Sequence, residues 1–548
     1  MRKLIALALF ISLPLTAASR LPVRAKHGMV ASVDATASRI GADIMKRGGN
    51  AVDAAVAVAL TLAVTWPEAG NIGGGGFMLV RKADGTEDAI DYRERAPLGA
   101  TRDMYLDANG NVIKDASLVG HRAAGVPGTI AGLAAAHKKY GKLPWAELVE
   151  PARKLAAEGF AVSEYFVRSI TNKRIQERIQ KFPESARIFG KSFKPGDVFV
   201  QPDLAATLAR IQKDPGDFYR GETARLIVAE MRKNLTAEDL AKYQPTFRKP
   251  LHATYRGYEI VTMPPPSSGG IALIEMLNML EPLDMTSIDW HSSQEVHTIV
   301  ETMRRAYADR AKYLGDSDFV KVPVAELTSR AYADKRRKDI VARATDSKAL
   351  PYESPETTHF TIIDADGSVV TNTYTLNESY GSAVTVTGAG FLMNDEMDDF
   401  TSKPGVPNTY GLIQSEANAI APNKRPLSSM TPTIVLKDGK VAFATGSPGG
   451  GTIINTVLQV VTNVIDYGMN IQEAVDAPRF HHQWLPDKIS WEQYEFSRDT
   501  VDALTAMGYV FDEKPGFLGD AESIAVDPKT GERLGASDPR RGGIAAGW

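Results

Sequence analysis

The sequence predicts an α/β fold in which outer helices cover antiparallel strands, a layered α/β/β/α sandwich. Three observations lead there. Residues from about 125 to 345 read as mainly helical, with long charged and alanine-rich segments. Beyond residue 350 the chain turns strand-rich, with alternating and β-branched runs. Two Asp-Gly pairs, Asp366-Gly367 and Asp438-Gly439, each sit between such runs, which is a strong hairpin signal.

The elements follow in chain order. Arg2 and Lys3 precede the apolar run Leu4–Leu15 and then the small residues Thr16-Ala17-Ala18-Ser19. A cationic start, an apolar stretch and a small-residue cleavage site read as an export leader over 1–18. The run is short for a bilayer span, which needs about 20 apolar residues. No membrane span is expected once the leader is removed, and the product is expected in the periplasm or medium. Ala37–Arg47 has helical periodicity and stops at Gly48-Gly49. Asn50 can cap a second, alanine-rich helix, which the Trp66-Pro67 pair ends. Gly73-Gly74-Gly75-Gly76 leads into the strand Phe77–Val80. A phosphate-cradling loop leads into a helix instead, so these glycines read as sites of close backbone approach. Met263-Pro264-Pro265-Pro266-Ser267-Ser268-Gly269-Gly270 reads as a turn or wall segment. Pro351–Glu356 is polar with two prolines and is expected to be extended and exposed. Strands are predicted at Thr357–Ile363, Ser368–Leu376, Thr433–Leu436 and Lys440–Ala444, with helices at about 452–466 and 498–507.

Composition narrows function. The 548 residues are 43% hydrophobic, enough for one very large domain or two to four ordinary ones. With 63 basic and 66 acidic residues, no cationic excess exists to neutralise phosphates, and nucleic-acid binding is not expected. The absence of cysteine excludes thiol nucleophiles, disulfides and thiolate metal sites. No serine sits in a Gly-x-Ser-x-Gly elbow and no His-Glu-x-x-His occurs. His481-His482 reads as structural, a metal being the weaker alternative; no metal or cofactor is expected.

The two hairpins carry more chemistry. If Ala365–Gly367 is a three-residue loop, antiparallel register places Thr375 opposite Thr357. Facing residues have Cβ atoms about 5 Å apart, so two threonine hydroxyls could meet. Threonines that merely fill a sheet are the alternative. In the second hairpin a two-residue loop pairs Lys437 with Lys440. Extending that register brings Ser428 beside Gly449, with Ser429 close to it. Hydroxyl donors beside flexible backbone N–H groups are what an oxyanion site requires; two turns at a sheet end are the plain alternative.

Six segments in order resemble the gamma-glutamyltransferase family over nearly the whole chain after the leader. They are Asp91-Tyr92-Arg93-Glu94-Arg95-Ala96-Pro97, Pro264–Gly270, Thr357-Thr358-His359-Phe360, Asn394–Phe400, Pro426-Leu427-Ser428-Ser429-Met430 and Thr445-Gly446-Ser447-Pro448-Gly449-Gly450. The resemblance implies an N-terminal-nucleophile hydrolase, a four-layer αββα sandwich that cleaves its own Glu356–Thr357 bond. A large subunit (19–356) and a small catalytic subunit (357–548) would then form one heterodimeric fold. The family often has glutamine at position 356, a difference of small consequence because the carbonyl is attacked.

The resemblance also implies roles. Thr357 is the nucleophile, with its freed α-amino group, of pKa about 8, as base. Thr375 supports it, and Gly449 and Gly450 supply the oxyanion backbone. Arg93 forks onto the substrate α-carboxylate, helped by Ser428 and Ser429. Glu396, Asp399 and Asn377 accept from the α-ammonium; at position 396 the family carries glutamate or glutamine. Ser402–Leu412 resembles the lid of some bacterial members, with Tyr410 at its tip. The implied donors are glutathione and other gamma-glutamyl compounds, and the acceptors are water or an amino acid or peptide. A cephalosporin or glutaryl acylase of the same superfamily is the alternative enzyme. A non-catalytic periplasmic binding protein is the alternative of another class.

Overall fold

The structure is a computed structural model that describes residues 19–345 and 357–548. The leader at 1–18 and the Pro351–Glu356 stretch lie outside the described residues. The first helix, Ala35–Lys46, starts where the Asp34 carboxylate accepts from the Ala37 N–H at 2.9 Å. Asn50 and Asp53 close a reciprocal cap on the second helix, Ala51–Thr65. That helix is apolar all round and buried along its whole length, as a helix without a polar face must be.

Two antiparallel seven-stranded sheets form the middle of the molecule. In spatial order the first comprises Ile544–Gly547, Met29–Ser32, Thr358–Ile363, Val369–Thr375, Gly75–Arg81, Glu87–Asp91 and Thr246–Arg248. The second comprises Val23–Ala25, Arg533–Ala536, Ser523–Val526, Lys440–Thr445, Thr433–Lys437, Tyr258–Thr262 and Leu251–Tyr255. Each sheet therefore draws strands from both sides of Thr357.

The pleat sorts side chains into layers. Phe77, Leu79, Ala89, Val261, Ile434 and Ala444 meet between the sheets. Met78, Val80, Ile90, Phe360 and Ile362 point the other way, onto the helix Ala51–Thr65 and its neighbours. Ile260, Val435 and Phe443 do the same on the second sheet, against the helices Gly269–Leu280, Ser293–Tyr313 and Ile453–Ile465. The expected α/β/β/α order is thus built by alternation.

The glycine run does hold a close approach. A Cβ on Gly74 would lie 2.0 Å from the Thr375 carbonyl oxygen, and one on Gly76 2.5 Å from that of Thr373. Neither carbonyl can withdraw without moving its strand. Gly74→Ala is therefore expected to destabilise by about 1–3 kcal/mol or more, as overpacking does. Thermal melting checks this, with Gly99→Ala, which meets nothing within 4 Å, as a control that melts near wild type.

Two sequence expectations change. The block at 125–345 is not helical throughout: it contributes Thr246–Arg248 to one sheet and the hairpin Leu251–Thr262 to the other. Arg256 and Gly257 turn that hairpin with φ of 50° and 75°, the primed geometry of tight hairpins, without the Asn or Asp that usually announces it. In the second hairpin Lys437 does pair with Lys440, but the register shifts between Val435 and Leu436, so Thr433 faces Thr445. Ser428 is consequently not the partner of Gly449; it bridges to Ser267.

Candidate active site

Thr357 stands at the head of its strand, where Thr358 pairs with Tyr374 and Thr361 with Thr371. That register sets Thr357 opposite Thr375, as the three-residue loop predicts, and the two hydroxyl oxygens lie 3.5 Å apart. The Asn377 N–H donates to the Thr375 hydroxyl at 2.8 Å. One Thr375 lone pair is thereby occupied, and the same hydroxyl lies 3.5 Å from the Asn377 carbonyl as well. Both threonines are buried. Behind them on the same face, His359 donates to or accepts from Thr373 at 2.7 Å and Thr361 at 3.1 Å. Burial pushes its imidazole down to about 3, so it is neutral and not a proton carrier at pH 7.

Arg93, Thr357, Thr375, Asn377, Glu396, Asp399, Ser428, Ser429 and Gly450 line one cavity, closed by Tyr410, Leu412, Met430 and Ile453. Its free space is only about 20 Å³, roughly a water's worth. Gly449 sits on the turn entering it. Gly449 and Gly450 have φ of 131° and 50°, a left-handed pair that side chains resist. Among the described residues neither N–H has a hydrogen-bond acceptor. Two glycine amides without an acceptor, near a hydroxyl pair, are parts that an oxyanion site can use.

The other end of the cavity is strongly charged. The Arg93 guanidinium is buried and pairs with both Glu396 and Asp399, with Glu94 3.8 Å away. Burial opposes its charge, but the three carboxylates outweigh burial and hold its pKa up. Burial pushes Glu94 up to about 7 and Glu396 well above the carboxylate range. Among the described residues both Glu94 carboxylate oxygens and Glu396 Oε2 lack hydrogen-bond partners. Three acids around one guanidinium favour a second cation.

Ser428 and Ser429 are held by the Pro264–Gly270 wall. The Ser268 N–H and hydroxyl both donate to the Ser428 carbonyl, at 2.7 and 2.6 Å. The Ser267 hydroxyl donates to the Met430 carbonyl at 2.6 Å. The segment read as a wall is therefore the mould of the serine pair.

The segment 402–412 borders the cavity through Tyr410 and Leu412. The Tyr410 hydroxyl donates to Asn377 Oδ1 at 2.5 Å, and Asn408 Nδ2 donates to Asp399 at 3.1 Å. Gln483 holds the Tyr410 carbonyl at 2.8 Å. Asp398, next to Asp399, accepts from the Thr409 N–H at 2.9 Å and from Ser117 at 2.6 Å. The segment is thus bonded to residues of the cavity it borders.

Nine of the ten sequence candidates line this cavity, and Gly449 adjoins it next to Gly450. Reasoning from sequence missed Glu94 and Arg310 as parts of the site. Glu94 lies inside the segment Asp91–Pro97, whereas Arg310 sits in a charged helix that reads as solvated. His481 and His482 stand elsewhere, bonded to Asn455, Gln483 and Asp487.

Comparison with known proteins places this arrangement. The family model described as gamma-glutamyltranspeptidase matches residues 37–548. The chain belongs to the gamma-glutamyltranspeptidase family. It is 51% identical over 533 residues to the glutathione hydrolase proenzyme of Escherichia coli (strain K12), covering 95% of this chain and 91% of that one. A solved cephalosporin acylase from Bacillus halodurans superposes with a TM-score of 0.86 at 29% identity, covering 99% of each chain. A solved gamma-glutamyltranspeptidase of Helicobacter pylori matches with a TM-score of 0.56 at 45% identity, over 60% of this chain and 93% of that one. The αββα sandwich is thus the architecture of this family and its acylase relatives. Among the described residues no helix is long and apolar enough to cross a membrane.

Proposed function

We propose that the protein is an exported, self-processing gamma-glutamyl hydrolase and transferase that works through Thr357. The observation that carries this reading is the Thr357–Thr375 hydroxyl pair, 3.5 Å apart, in one cavity with Arg93 and its ring of acids. Cleavage after Glu356 gives residues 19–356 and 357–548, two subunits interleaved in both sheets, and frees the Thr357 amine. That amine takes the hydroxyl proton as Oγ1 attacks the gamma-amide carbon. The N–H groups of Gly449 and Gly450 receive the oxyanion, the C–N bond breaks, and the proton passes to the leaving amine. For glutathione that amine is cysteinylglycine. Water or an amino-acid or peptide amine then attacks the ester and releases Thr357. Arg93, with Ser428 and Ser429, faces the α-carboxylate; Glu396, Asp399 and Asn377 face the α-ammonium. Asn377 Oδ1 already accepts from Tyr410 but keeps a second lone pair.

The test is a denaturing gel of purified protein with N-terminal sequencing and an assay on gamma-glutamyl-p-nitroanilide. Two fragments are expected, the smaller beginning at Thr357, with turnover of the anilide. A fully active single chain overturns the reading, because the α-amino base would not exist.

Arg93→Lys checks the recognition end separately. Lysine keeps the charge but cannot reach two acceptors in one plane. Self-cleavage uses no substrate carboxylate and should survive. The KM for glutathione should rise by about tenfold or more, the scale of one charge-assisted bond. An unchanged KM makes Arg93 structural.

The cephalosporin or glutaryl acylase remains the second reading because of the likeness to the Bacillus halodurans enzyme. The acid ring favours a substrate that brings an ammonium. The complete hydroxyl, oxyanion and acid set disfavours a binding protein without catalysis.

A further inference from the structure

Arg310 is fully buried in the helix Ser293–Tyr313, with Nε donating to Ser268 Oγ at 2.9 Å and Nη2 to Ser429 Oγ at 3.2 Å. Among the described residues its Nη1 has no acceptor. Burial lowers its pKa, and Asp399 pulls the other way; an arginine nevertheless stays charged. A buried guanidinium without a carboxylate on its own donors is unusual, since buried charges are ordinarily paired.

Proton positions explain its use. A guanidinium only donates, so Ser429 Oγ must accept from it and its own proton must point elsewhere. Among the described residues that proton has no acceptor, and Ser429 lines the cavity. Ser428 is arranged alike: the Met430 N–H donates to its Oγ at 3.1 Å, leaving its proton free. Ser268, the other Arg310 acceptor, spends its proton on the Ser428 carbonyl. One guanidinium thus fixes the direction of Ser429 and anchors the segment that holds Ser428.

We propose that Arg310 is a positioning residue for the donor's α-carboxylate: it turns the Ser429 hydroxyl into an obligate donor and sets a second buried cation behind it. This rests on the gamma-glutamyl reading above and adds a residue to it. Arg93 is already shared with Glu396 and Asp399, so one guanidinium must serve two acids and an incoming carboxylate. Arg310 supplies what Arg93 alone lacks, positive potential on the serine side.

The experiment uses two substrates, gamma-glutamyl-p-nitroanilide and its α-carboxamide analogue, which keeps the ammonium and the scissile anilide but loses the carboxylate. Wild type should prefer the acid by roughly 100-fold or more, the scale on which polar sites reject an analogue lacking a bonded group. In Arg310→Met that preference should fall by about tenfold or more, through a higher KM for the acid with the amide's kcat/KM nearly unchanged. Arg310→Lys, which keeps charge but not both bonds, should fall between. If both substrates lose the same factor, Arg310 is scaffold and the proposal is overturned; an unchanged ratio overturns it equally. Should Arg310→Met not yield processed protein, the same ratio in Arg310→Lys decides. A wild type that turns over neither substrate defeats the gamma-glutamyl reading itself.

Discussion

Thr357→Ala is expected to leave the chain in one piece and to abolish gamma-glutamyl turnover. The side chain does two jobs at one position. Its oxygen must attack the Glu356 carbonyl during maturation and the substrate carbonyl afterwards. Loss of a covalent nucleophile lowers kcat by about 10⁴-fold or more in comparable hydrolases. The fold should not suffer: among the described residues the hydroxyl's one hydrogen-bond partner is Thr375, at 3.5 Å, so melting should stay near wild type. Two controls separate processing from chemistry. Thr357→Ser keeps a hydroxyl and should still be cleaved, more slowly. Expressing 19–356 and 357–548 as separate chains supplies the free amine without cleavage. That pair should be active with Thr357 and inactive with alanine there. Activity in the alanine pair would remove Thr357 from the mechanism. The rate should also rise with pH up to about 8, since the α-amine acts only when unprotonated.

How much of this was legible in the sequence depends on how local the cause was. The Thr357–Thr375 pairing followed from one three-residue loop and no intervening bulge. The Ser428–Gly449 pairing failed because a bulge at Val435/Leu436 shifts the register by one. A bulge has no residue signature comparable to Asp-Gly, and it reverses which face each residue presents. The serines still reach the cavity, because Ser267 and Ser268 hold their segment there by bonds to the Ser428 and Met430 carbonyls. The strands at 246–262 were hidden in a charged, helix-rich stretch, and their turn, Arg256-Gly257, is uncommon chemistry for its geometry. Arg310 was illegible for another reason. Charge on a helix normally marks a solvated face. It is buried here against Ser268 and Ser429, which are distant in sequence. Patterns fixed by neighbours in the chain could be read; those fixed by the opposing layer could not.

The protein should cleave gamma-glutamyl-p-nitroanilide far faster than glutaryl-p-nitroanilide. The two substrates share chain length, the carboxylate and the scissile anilide and differ only in the α-ammonium. The cavity holds Glu396 and Asp399 against Arg93, with Glu94 behind. An ammonium entering there meets unsatisfied carboxylate oxygens and stabilises their ionised form. A glutaryl chain brings its carboxylate to the same cavity and nothing to balance the acids. They must then take up protons or stay unpaired, at a cost of several kcal/mol. Burial already holds Glu94 near pH 7 and Glu396 well above the carboxylate range, so the acids sit close to that limit without a further cation. Sites built for a polar group reject an analogue lacking it by roughly 10²- to 10⁵-fold. The measurement is the ratio of the two kcat/KM values. Asp399→Asn should shrink that ratio mainly by slowing the glutamyl substrate, because the amide still bonds Arg93's neighbourhood but no longer balances an ammonium. A wild-type ratio near or below one would promote the acylase reading while leaving the Thr357 chemistry in place, since both activities would pass through the same hydroxyl and the same pair of glycine amides.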